Sequence, residues 1–181
     1  MKKYIPNILT GLRGLLTLVI IVLFYVETPS KFTVILGLFL LASFTDYLDG
    51  MFARRWKMES VFGKVFDSLF DKILVLSLFM LLIPYDIIPT FIFVILLFRE
   101  LLVDGLKNFL LSQGSPVSPK ISAKIKFWFQ AIMIISMLLY LIYPENSLIY
   151  KSVLINTGLA LFFAYYSAVL YMKDFYIALK K

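Results

Sequence analysis

The chain has 181 residues, of which 61% are apolar and only 16% charged, with a mean hydropathy of +0.92. A soluble domain carries about 45–50% apolar and about 25% charged residues, so this composition describes an integral membrane protein. The absence of His and Cys excludes zinc sites, thiolate nucleophiles, disulfides and imidazole relays, leaving carboxylates, cations, hydroxyls and backbone to carry any chemistry. The net charge of +7, in so apolar a chain, is a signal of membrane orientation and not of a nucleic-acid partner.

At roughly 20 apolar residues per crossing, the chain holds about six transmembrane helices and no separate soluble domain. The expectation is therefore an all-α, multi-pass membrane protein in which residues 1–181 form one domain. The apolar runs predict helices over 7–26, 32–53, 66–84, 88–111, 122–143 and 149–172. Between them stand Glu27-Thr28-Pro29-Ser30, Arg54 to Glu59, Pro84-Tyr85-Asp86, Ser112 to Pro119 and Pro144-Glu145-Asn146, all turn chemistry. Met1-Lys2-Lys3 leads into a run that is too long for a signal peptide and lacks a small-residue cleavage site, so it reads as the first span. With the N-terminus in the cytoplasm, only Lys31 and Lys151 of the 18 cations fall on the far side. That imbalance predicts six spans of the cell's inner membrane with both termini cytoplasmic.

Four carboxylates stand out. Asp46 and Asp49 close the second predicted helix, and Asp67 and Asp71 open the third. Residues three or four apart share a helix face, so each pair projects together, and a short connector makes the two helices antiparallel neighbours. Carboxylates gathered in this way either protonate or hold cations. Oxygen donors alone select Mg²⁺ or Mn²⁺, and four can hold two such ions at the cytoplasmic face. The plainer reading, in which they only pair with Arg54, Arg55, Lys64 and Lys72, leaves the expense of their burial unexplained. Gly50, Ala53 and Gly63 strip bulk from the same region. They either let helices pack closely or admit a bulky ligand group beside Arg54, whose fork suits phosphate.

Written out, Asp46-Tyr-Leu-Asp49-Gly50-Met-Phe-Ala53-Arg54, then Gly63, Asp67 and Asp71 at their spacings, resembles the signature of the CDP-alcohol phosphotransferases. Eight fixed positions would coincide by chance on the order of once in ten billion start points. The resemblance implies the six-helix fold of that family, a homodimer, and transfer of a phosphatidyl-type group from a CDP-linked donor to an alcohol with release of CMP. By position it implies that Asp46, Asp49, Asp67 and Asp71 hold the two metals. Asp71 would also take the proton of the attacking hydroxyl, while Asp49, Gly50, Ala53, Arg54 and Gly63 line the cytidine diphosphate pocket.

The acceptor has to be read from other segments. Asn7-Ile-Leu-Thr10-Gly-Leu-Arg13, Arg99-Glu100, and Lys124-Ile-Lys126 with Gln130 sit at one cytoplasmic depth, and several cations converging on one site suit a dianion. These segments are similar to those of the phosphatidylglycerophosphate synthase branch, which uses CDP-diacylglycerol and sn-glycerol 3-phosphate. Arg13, Arg99, Lys124 and Lys126 are then the acceptor-phosphate candidates, with Glu100 orienting a cation or the glycerol. The alternative for each lysine is topology or headgroup contact. Where that branch commonly shows Pro then Leu-Ala, this chain has Ser68-Leu69-Phe70, and Lys107 stands where Arg is frequent. An inositol-phosphate-using relative and an archaeal ether-lipid version therefore stay open as readings. Outside the family, a small cation transporter would use the aspartates as an ion path. All four lie near one face and no inverted repeat is visible, which argues against it. A catalytically dead scaffold would not need intact ligand residues.

Overall fold

The computed structural model describes the backbone of residues 5–56, 61–113 and 121–179, and the side chains of residues 10–45, 69–113 and 125–179. Six α-helices follow one another: α1 (Ile5–Phe24), α2 (Lys31–Trp56), α3 (Val61–Leu82), α4 (Thr90–Ser112), α5 (Ile121–Ile142) and α6 (Ser147–Leu179). No strand occurs among the described residues. In an apolar chain this is the economical solution, because a helix satisfies its own backbone polar groups without water. The same logic governs the few hydroxyls. Thr17, Thr45, Ser136 and Ser152 each donate to a backbone carbonyl one turn back, at 2.7–2.8 Å.

The helix order agrees with the sequence expectation; most boundaries fall within three residues of it, α2 running on through Arg54 and Arg55 to Trp56, and two move further. α3 begins at Val61 where 66 was predicted, and α6 runs to Leu179 where 172 was predicted. An apolar run marks only the oily part of a helix. The hydrogen-bond ladder continues through Lys64 at one end and through Lys173 and Asp174 at the other. The last turns of α6 are packed as well, with the Phe175 ring edge-on to Phe109 of α4 at 5.2 Å.

Two compact units result. The first holds α1, α2 and α3 together with Leu141–Tyr143; the second comprises Ile83–Tyr140 and Pro144 onward. In the first, α1 packs against both α2 and α3. Leu16, Ile20 and Phe24 line one stripe of α1, and Ile35, Phe39 and Ala42 one stripe of α2, the helical spacing of a core face. In the second, α4 packs on α6, where Ala160, Ala164 and Ala168 leave a low, buried surface that lets backbones approach. Phe129 of α5 stacks on Phe163 of α6 with centroids 4.7 Å apart.

The outer faces are as apolar as the inner ones. Leu15, Leu18, Val22, Met80, Phe91, Phe98 and Leu101 are all at least 60% exposed. Water-facing helices carry polar residues there, whereas helices in hydrocarbon do not. By length and composition, α5 over Ile125–Ile142 and α6 are apolar enough to cross a bilayer. The apolar stretches Thr10–Phe24 and Lys31–Thr45, within α1 and α2, are shorter among the described residues. Ile83–Tyr85 forms a 3-10 turn after α3, and Asp86 follows it with φ 49°. Asp reaches this left-handed region at lower cost than a branched residue. Asn146 starts α6, its Oδ1 accepting from the backbone N–H groups of Leu148 and Ile149 at 3.0 and 3.4 Å, an N-cap.

Candidate active site

Asp46, Asp49, Gly50, Ala53 and Arg54 lie on α2, and Gly63, Asp67 and Asp71 on α3. Helical backbone through both stretches keeps Asp46 with Asp49, and Asp67 with Asp71, on common faces. Of these residues only Asp71 falls among those whose side chains are described; Asp46, Asp49, Gly50, Ala53, Arg54, Gly63 and Asp67 lie outside them, as does Lys124 on α5. The donor set is oxygen only, in a chain without His or Cys, and that chemistry fits a hard divalent cation.

Asp71 is 25% exposed and forms an ion pair with Arg13, whose Nη1 donates to Asp71 Oδ1. Arg13 lies on α1 and is completely buried. This pair joins two residues given separate tasks by sequence reading, the base and an acceptor-phosphate ligand. The next residue on α1 explains how the helices come close enough. A Cβ added at Gly14 would lie 2.8 Å from Cε1 and 2.9 Å from Cζ of Phe70, the residue before Asp71. Gly14 was not singled out from sequence, since a lone Gly in an apolar helix carries no such signal, and Phe70 was noted only as a departure from the branch pattern.

A second polar group lies in the unit built on α4, α5 and α6. Glu100 of α4 is buried and accepts through Oε1 from Arg99 Nη1 at 3.2 Å, from Gln130 Nε2 at 3.3 Å, and from Lys126 Nζ. Arg99, also buried, turns its other donors to α6: Nε to the Ala164 carbonyl at 2.7 Å and Nη2 to Ser167 Oγ. Ser167 in turn donates to the Ala164 carbonyl at 3.0 Å. Lys107, two turns further along α4, stands over the Tyr171 ring at 4.7 Å, a cation–π contact, and belongs to the electrostatic surroundings of Lys126.

Thus Arg99 and Lys126, with Glu100 between them, are brought together. Arg13 lies in the other unit, with Asp71. Ser167 and Ala164 were not read as site residues; a buried Arg at 99 needs acceptors, and that requirement was the available signal.

The chain matches the family described as CDP-alcohol phosphatidyltransferase over residues 3–170. It is 37% identical over 103 residues to the CDP-diacylglycerol–glycerol-3-phosphate 3-phosphatidyltransferase of Bacillus subtilis, covering 57% of this chain and 53% of that protein. The chain thus spans about half the length of that relative. A protein of the same name from Rickettsia typhi is 38% identical over 128 residues, 71% of this chain and 72% of its own length. The cardiolipin synthase (CMP-forming) of Oryza sativa is 28% identical over 193 residues, 98% of this chain and 59% of the rice protein. With a match that begins ahead of α1, passes through all four aspartates and ends within α6, this chain belongs to the CDP-alcohol phosphatidyltransferase family.

Proposed function

We propose that this chain is a membrane-embedded CDP-diacylglycerol–glycerol-3-phosphate 3-phosphatidyltransferase, forming phosphatidylglycerophosphate and CMP. The observation that carries the acceptor is the buried group around Glu100, where Arg99 and Lys126 share a single carboxylate. More cation than carboxylate in an apolar setting favours a phosphorylated alcohol over a neutral one. The donor side rests on Asp46, Asp49, Gly50, Ala53, Arg54, Gly63, Asp67 and Asp71, which keep the family's spacing.

Asp46, Asp49, Asp67 and Asp71 would hold two Mg²⁺ or Mn²⁺ ions, which would supply charge neutralisation at the donor pyrophosphate. Asp71 takes the proton of the acceptor hydroxyl, which attacks the phosphorus bearing the lipid while CMP leaves. Arg54 and the unencumbered positions Gly50, Ala53 and Gly63 receive the cytidine diphosphate. Lys126, held by Glu100, and Lys124 are the candidate ligands of the acceptor phosphate. The protein works as a homodimer with one family domain per chain, crossing the inner membrane six times with its termini and active site in the cytoplasm.

Purified protein in lipid, given CDP-diacylglycerol, Mg²⁺ and glycerol 3-phosphate, is expected to release CMP and form phosphatidylglycerophosphate. CMP release only with inositol phosphate, or only with phosphatidylglycerol, would keep the family chemistry and refute this acceptor. Metal-dependent ion flux without CMP would refute the transferase reading. Because the chain has no Cys, single introduced cysteines report topology cleanly. In right-side-out membrane vesicles, Lys151→Cys is expected to react with a membrane-impermeant maleimide and Lys173→Cys only after permeabilisation. The reverse pattern would refute the orientation.

A further inference from the structure

Arg13 is fully enclosed on α1, and its Nη1 donates to Asp71 Oδ1 on α3, so its fork is directed at a carboxylate of its own chain. The neighbouring residues form a second contact between the same helices. The bare backbone of Gly14 lies against the Phe70 ring so closely that a Cβ would come within 2.8 Å of it, a separation that real side chains do not tolerate. One turn on, the Thr17 hydroxyl donates to the Arg13 carbonyl at 2.8 Å, satisfying itself without competing for the guanidinium.

Adjacent residues on α1 therefore meet adjacent residues on α3, 13 with 71 through charge and 14 with 70 through shape. One contact alone would leave α3 free to roll. Together they define both the separation of the helices and their relative rotation at Asp71, and the planar guanidinium fixes the direction of the carboxylate oxygen it holds.

We propose that Arg13 is a positioning residue for Asp71, holding that carboxylate in the orientation in which it meets the acceptor hydroxyl, with the Gly14–Phe70 contact setting the distance. This rests on the reading of Asp71 as the base, and it removes Arg13 from the acceptor-phosphate ligands. A positioning residue of this kind acts on the chemical step and leaves substrate affinity alone.

The test is steady-state kinetics of the full-length protein in lipid vesicles, with CDP-diacylglycerol, Mg²⁺ and glycerol 3-phosphate. Arg13→Met is expected to lower kcat roughly a hundredfold, the scale of effect from misplacing a reacting group, with KM for both substrates within about twofold. Arg13→Lys keeps the charge without the fork and is expected to fall between Met and wild type. Gly14→Leu leaves Arg13 in place but pushes Phe70 away, and is expected to reproduce the kcat loss with KM unchanged. These last two variants carry the test where Arg13→Met fails to fold. A rise of about tenfold or more in KM for glycerol 3-phosphate with kcat preserved in Arg13→Lys would make Arg13 a phosphate ligand and overturn the proposal. Wild-type kcat in both Arg13→Lys and Gly14→Leu would overturn it equally. Absence of CMP release from the wild-type protein would instead overturn the functional reading beneath it, before any variant is compared.

Discussion

Asp71→Asn is expected to reduce turnover by about 10² to 10⁴-fold, the span that a positioned general base contributes, and further where a metal ligand is weakened in the same step. The protein should nevertheless fold. Asparagine keeps a carbonyl oxygen where Arg13 Nη1 now finds Oδ1, so the buried guanidinium retains an acceptor. Asp71→Ala removes that acceptor and is expected to unfold at lower temperature than Asp71→Asn, because a buried charge left without its partner is costly. CMP release measured beside thermal unfolding in detergent separates the two effects. Turnover of Asp71→Asn within a few-fold of wild type would refute the base.

Glu100→Ala is expected to be the most destabilising single substitution in the unit formed by α4, α5 and α6. Glu100 is the shared acceptor of Arg99, Lys126 and Gln130. Removing one partner of a buried ion pair costs about 3–5 kcal/mol, read here as a large fall in Tm. Glu100→Gln keeps an acceptor oxygen and is expected to lose less. Lys126→Met introduced into Glu100→Ala is expected to restore part of the loss by deleting a cation that no longer has its carboxylate. A double variant no more stable than Glu100→Ala would show that the cluster does not govern folding. In an otherwise wild-type chain, Lys126→Met leaves Glu100 with Arg99 and Gln130, so its effect should appear mainly in KM for glycerol 3-phosphate.

The helices were legible because their signal is local. A continuous apolar run favours helix, which satisfies its own backbone polar groups, and all six predicted runs coincide with observed helices. The ends of α3 and α6 were less legible, since charges such as Lys173 and Asp174 interrupt hydropathy without interrupting backbone hydrogen bonding. Within the site, the aspartate spacing could be read directly because it repeats at helical intervals. The partners of the arginines could not. Arg13 and Asp71 are 58 residues apart, and Arg99 and Ser167 are 68 apart. A guanidinium in a sequence is equally suited to a substrate phosphate, a carboxylate or a backbone carbonyl. Only the packing of α1 on α3, and of α4 on α6, decides among them.

The length of α6 has a consequence for the lipid around the protein. Its 33 residues extend about 50 Å at 1.5 Å per residue, against a hydrocarbon layer about 30 Å thick. A helix of that length reaches past the hydrocarbon, and its charged turn at Lys173 and Asp174 is the part suited to the headgroup layer. Because the Arg99 side chain is bonded to the Ala164 carbonyl midway along α6, a tilt of α6 carries α4 with it. Any tilt imposed on α6 would thereby be shared by the helix that bears Glu100.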